Sequence, residues 1–185
     1  MESILDELMK SLQGTGGIDQ MSRSTGMDQG DVTKVLSGAL PALMAGLSRS
    51  AANTEGATGL LAVLDRDHDG SIMDDVAGYL ASAGAAAAGT GILKHTLGDR
   101  QGRVETALSR STGVDQGSVS QILAMAAPLV LGYLGRQRKN QGLDAAGLLG
   151  MLSKEQQVVQ QRSPQAANML NQLLDADNDG SIMDE

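Results

Sequence analysis

Residues 21–36, MSRSTGMDQGDVTKVL, and residues 108–123, LSRSTGVDQGSVSQIL, align without a gap, and no other feature so limits what this 185-residue chain can become. The register continues, with Pro41 opposite Pro128, Arg49 opposite Arg136 and Asn53 opposite Asn140. TGLLAVL (58–64) then answers AGLLGML (146–152) after a one-residue slip. An acidic phrase follows at once in the first copy, DRDHDGSIMDD (65–75), and after 22 further residues in the second, DADNDGSIMDE (175–185). The expected organisation is two tandem modules, 1–81 with an acidic loop at 65–75, and 92–185 with an inserted helix and a loop at 175–185. Between them, the Ala/Gly-rich residues 82–91 suit either a linker or the tail of a helix.

Both modules read as all-α. Val32, Val35, Leu36, Ala39, Leu40, Leu43 and Leu47 fall at three- and four-residue intervals, which places them on one helical face. Asp28 or Asp31 suits the start of that helix and Arg49 its negative end. Pro41 and Pro128 lie inside the pattern, where a missing N–H predicts a kink or a split. Aromatics are 1% of the chain, Tyr79 and Tyr133 alone, so burial falls to Leu, Ala, Val, Ile and ten Met. Gap-filling is the ordinary role of Met in such a core. The run ILAMAAPLVLGYL (122–134) is shorter than the roughly 20 residues of a membrane span and predicts a buried helix. The N-terminal stretch lacks the basic start of a secretory leader, so a cytoplasmic protein is expected.

The acidic phrases point to a metal. Net charge is −8, and the two phrases hold ten of the 22 acidic residues. With Asp65 at loop position 1, Asp67 and Asp69 take positions 3 and 5, Gly70 position 6, and Ser71 position 7 through its carbonyl. This is how an EF-hand loop wraps calcium. Position 12, normally a bidentate Glu, is Val76 here, so Asp75 at position 11 is expected to close the sphere, with Asp74 as second choice. In the second phrase Asp175, Asp177, Asp179 and Ser181 repeat the set, closed by Glu185 or Asp184. Ile72 and Ile182 at position 8 suit the apolar anchor of such a loop. Two calcium ions are expected, since clustered carboxylates supply many hard oxygens and the chain has no Cys and only two His. Like charges so close repel, and a cation relieves that cost.

Other classes of function have less behind them. There is no P-loop, GxSxG or HExxH motif, and no Ser has an evident His base, so no enzyme is expected. VETALSRSTGVDQGSVSQIL (104–123) has the outline of a helix-turn-helix, which makes nucleic-acid binding the alternative. Against it stand the net charge and the lack of basic clusters outside RQRK (136–139). Apolar helices in tandem also suit a homo-oligomer.

Gly91–Gln137, with its ILKHTLG entry, TGVDQGSV turn and APLVLGYLGRQ, resembles the YidB-like bacterial family of unknown function, number 937. The first copy resembles it more loosely through TGMDQGDV and LPALMAGLSRS. The resemblance implies an all-helical fold with a homeodomain-like core and no established activity. Acidic DxDxDG loops beside such domains are in keeping with the metal expectation.

Overall fold

The computed structural model describes residues 3–67, 69–82 and 84–162, the side chains of Thr54 and Asp67 excepted. Among the described residues the fold is all helical. The order is α1 (Ile4–Gly14), α2 (Gly17–Thr25), α3 (Gln29–Ser50), α4 (Thr54–Asp67), α5 (Val76–Ala81), α6 (Ala85–Leu97), α7 (Gln101–Thr112), α8 (Gln116–Gln141) and α9 (Ala145–Arg162). Short 3-10 turns at Ser71–Met73 and Gly98–Arg100 lie between them.

Local chemistry explains how the helices start and stop. Ser3 and Asp6 form a capping box at the head of α1. Asp28 caps α3 by accepting from the Asp31 N–H at 3.0 Å, and Asp115 caps α8 by accepting from the Ser118 N–H at 2.9 Å. The turns before these two caps match atom for atom. Gly26 and Gly113 end α2 and α7 with φ of 72° and 76°. Ser22 Oγ donates to the Met27 carbonyl at 2.5 Å, and Ser109 Oγ to the Val114 carbonyl at 2.6 Å. Thr25 and Thr112 both bond back to the carbonyl four residues earlier, at 2.8 and 2.7 Å.

The two long helices, α3 and α8, pack against each other, and α6 and α7 lie against both. Helix α9 packs on α3 and α4, and α4 touches α8 in turn. Buried side chains from both halves of the sequence form one cluster, from Leu8 and Met21 through Leu43 and Leu123 to Leu152. Every residue from Ile122 to Gly135 is buried. Helix α8 has the length and composition of a membrane span, yet 78% of its most apolar window is covered by the rest of the protein. A helix apolar on all sides is a core helix when other helices surround it.

Neither proline splits its helix; α3 and α8 run unbroken through Pro41 and Pro128. In α8 the reason lies in the neighbouring helix. Pro128 has no N–H to offer the carbonyl of Ala124, four residues earlier. Gly89 of α6 sits directly on that carbonyl, so close that any Cβ there would overlap it. Such contact is open only to a helix surface without a side chain, and it brings Cα–H groups against the orphaned oxygen. Gly46 of α3 also lies close to α6, where a Cβ would stand 2.8 Å from Thr96 Cγ2. Residues 85–91, which composition left between linker and helix tail, are therefore the opening turns of α6. Their small side chains let α6 approach its neighbours.

Two polar ties join distant parts of the chain. Glu155 of α9, 4% exposed, accepts from the N–H groups of Ile4 and Leu5 at 3.1 and 3.3 Å and so caps α1 from outside. The Tyr133 hydroxyl donates to the Glu7 carboxylate and accepts from Gln137 Nε2 at 2.6 Å. Burial, and then the bond to Glu7, push the Tyr133 phenol up from its ordinary value.

The two glycines of α6 should respond oppositely to Ala. Gly89→Ala, forced against the Ala124 backbone, should lower stability by about 1–3 kcal/mol or more. Gly91→Ala has nothing within 4 Å of its Cβ and should raise stability by up to about 1 kcal/mol through helix propensity. Urea midpoints of the two variants are the check.

Candidate functional site

The first acidic phrase starts inside a helix. Asp65 lies in the last turn of α4, which ends at Asp67. The loop expected from position 1 onward is thus helical for its first three residues, because the apolar run LLAVL carries the helix on and a base on α8 receives Asp65 as it emerges. Asp69 Oδ1 then accepts from the Ser71 N–H at 3.0 Å, a local Asx turn. Gly70 follows at φ 93°. The 3-10 turn bonds the Met73 N–H to the Gly70 carbonyl at 3.1 Å and the Asp74 N–H to the Ser71 carbonyl at 3.0 Å. Asp75 closes the segment as N-cap of α5, accepting from the Gly78 N–H at 2.9 Å.

This segment is seated on the last turns of α8. A Cβ on Gly70 would stand 2.8 Å from Cβ and 2.9 Å from Cα and N of Arg136. Glycine is required there twice over, for the close approach and for the left-handed backbone. One turn back along α8, a Cβ on Gly132 would stand 2.6 Å from the side chain of Ile72. The residue expected as an apolar anchor thus packs against the body of the protein, and Met73 beside it is buried.

The charges are paired across the same contact. Asp74 is bridged to Arg136 and Asp65 to Arg138, while Asp69 Oδ2 lies 3.8 Å from Lys139 Nζ. These bases are the RQRK run at the tail of α8, where cations also complement the helix dipole. The repulsion that a metal was expected to relieve is therefore met, in this arrangement, by three side chains of the protein itself. Each exposed pair contributes about 0.2–1 kcal/mol. The seat owes more to Gly70, Ile72 and Met73 than to its charges.

The expected metal ligands accordingly have other partners. Asp65, Asp69 and Asp74 go to three different bases, Asp75 caps α5, and the Ser71 carbonyl is bonded within its turn. Among the described residues no three Asp, Glu or His groups gather closely enough to hold an ion. The side chain of Asp67, and Asp175, Asp177, Asp179, Ser181, Asp184 and Glu185, lie outside the described residues. Arg136, Arg138 and Lys139 were visible in the sequence as its one basic run. Their relation to the acidic phrase could have been suspected from charge complementarity alone.

The fold and this seat define a class, an all-helical protein in which an acidic segment is clamped to a basic helix end. The family model described as bacterial protein of unknown function (DUF937) matches residues 6–137, and the chain belongs to that family. Neither the curated proteins nor the solved structures contain a match.

Asp69 supplies a pH test. Hydrogen bonds from the Ser71 N–H, then from its side chain, hold the Asp69 carboxyl below its ordinary value, with Lys139 adding to the effect. A lowered carboxyl stabilises the seat above its unfolded pKa of about 3.9, and that contribution fades as pH falls through the lower, folded value. Carboxyl-carbon NMR titration should find Asp69 titrating below the ordinary aspartate value. Amide exchange at Ser71 should quicken only as Asp69 protonates.

Proposed function

We propose that this chain is a non-enzymatic helical scaffold, built from a duplicated helix-turn-helix module, in which the acidic segments are calcium-responsive latches. The observation that carries the reading is the seat of residues 65–75 on Arg136, Arg138 and Lys139. The exposed ion pairs around that segment are ones a better cation can replace. Asp65, Asp67 and Asp69 alternate in sequence with Asp74 and Asp75 close behind, a hard-oxygen set of the type calcium takes in EF-hand-like loops. These exposed pairs compete with calcium for the same carboxylates and lower its affinity without abolishing binding. The phrase at 175–185 offers a second set, giving two ions per chain.

Duplication draws support from the matched turns at Gly26 and Gly113, whose hydrogen bonds repeat residue for residue. The same three-residue joints support the helix-turn-helix likeness. Nucleic-acid binding, the alternative, has less support, because the one basic run is already neutralised by the acidic segment. Self-association belongs to this reading as a consequence of latch release, which uncovers Gly132 and the apolar face around it.

Calorimetric titration with calcium tests it. The wild-type chain should bind, and the Arg136→Gln, Arg138→Gln double variant should bind about tenfold more tightly, since fewer bridges compete for Asp65 and Asp74. Sedimentation in calcium and in chelator reads any change of assembly. No heat from either protein would sink the calcium reading.

A further inference from the structure

We infer that a cleft between α4 and α6 binds a medium-chain aliphatic carboxylate, with the chain held between the two helices and the carboxylate at Ser50, His95 and Thr96. The site is independent of the acidic segments and of calcium.

The cleft has a volume of about 450 Å³. Gly56, Gly59, Leu60 and Val63 of α4 line it with the i, i+3, i+4, i+7 pattern of one helical face. Ala88, Gly91, Ile92 and His95 of α6 line it with the same pattern. Leu47 of α3 and Leu131 of α8, both buried, complete the apolar lining. The space exists because glycines stand where side chains would fill it. Neither Gly59 nor Gly91 has anything within 4 Å of the place a Cβ would take. Helix α6 thus uses its glycines in opposite ways, Gly89 closing it onto α8 and Gly91 leaving room beside it.

The polar groups of the cleft lie together. Gly46 brings α3 against Thr96, Ser50 follows one turn later on the same face of α3, and His95 adjoins Thr96 on α6. Thr96 is only 9% exposed, and its hydroxyl has no hydrogen-bond partner among the described residues. The side chains of Ser50 and His95 have none there either. A buried hydroxyl left without a partner is costly, and a ligand oxygen at this end of the cleft satisfies it.

Charge, shape and size select the ligand. The chain has a net charge of −8, yet among the described residues no Asp or Glu lines the cleft, whereas His95 and Arg66 do. Arg66 already has another partner, and the site does not depend on it. The only aromatic residues, Tyr79 and Tyr133, lie elsewhere, so the walls suit a flexible aliphatic chain and offer no ring for stacking. An α-helix about 10 Å across and 5.4 Å per turn would fill the volume with roughly a single turn, so the cleft is too small to seat a partner helix. It falls within the range of roughly 300–1,000 Å³ typical of small-ligand sites.

Calorimetric titration of the full-length protein with hexanoate, octanoate and decanoate, in the presence of chelator, tests the site. Saturable one-to-one binding should tighten about fourfold for each methylene added, and decanol should bind less tightly than decanoate. Gly59→Leu fills the cleft from α4 and Gly91→Leu fills it from α6. Each should abolish binding while the helical circular dichroism is kept. Thr96→Val, close in shape but without the hydroxyl, should weaken decanoate about tenfold or more. Absence of saturable heat, or binding that survives both leucine variants, overturns the site. Decanol binding as tightly as decanoate, or an undiminished affinity in Thr96→Val, overturns the placement of a carboxylate at Thr96. With chelator present, each of these failures leaves the calcium reading untouched.

Discussion

The close approach of α6 to α8 sets the geometry of the rest. Pro128 deprives the Ala124 carbonyl of its intrahelical donor, and a buried carbonyl without partners is costly. Gly89 places α6 backbone on that oxygen, at a distance no other residue type allows. Gly46 and Thr96 bring α3 close to α6 as well. In a chain with only two aromatic residues, small residues and close backbones replace the large side chains that usually fill a core.

The acidic segment follows the same rule. It too is seated by glycines: Gly70 on the backbone of Arg136 and Gly132 under Ile72. The ion pairs around them are exposed, individually small and sensitive to salt. Shape holds the segment in register, and charge adds to it.

How much of this was legible beforehand depended on whether the signal was local. The turns at Gly26 and Gly113, the caps at Asp28 and Asp115 and the buried stretch of α8 follow from spacing and side-chain chemistry within a few residues, and the sequence displays them openly. Of the kink or split expected at Pro41 and Pro128 the split does not occur, and the backbone that meets the carbonyl freed by Pro128 belongs to Gly89, 39 residues away in sequence. Residues 85–91 were ambiguous for the same reason: Ala and Gly become a packing surface only when another helix is brought to them. In the acidic phrase, the pattern of Asp65, Asp67 and Asp69 revealed the crowding of charge. The partners Arg136, Arg138 and Lys139 sit more than 60 residues further on, where no local reading reaches.

The ties of this fold are long in sequence. Asp74 meets Arg136 across 62 residues, Glu7 meets Tyr133 across 126, and Glu155 meets Ile4 across 151. Helical proteins with mostly local contacts fold in microseconds to milliseconds, and folding slows as contacts grow more distant in the chain. With α1 capped from α9 and the α4 segment resting on α8, these elements of the first half do not reach their final partners until much of the second half has been made. A ribosome emitting this polypeptide from its N-terminus would release α1 and α4 well before α8 and α9 exist. Their apolar faces must wait, uncovered, for the second half to arrive.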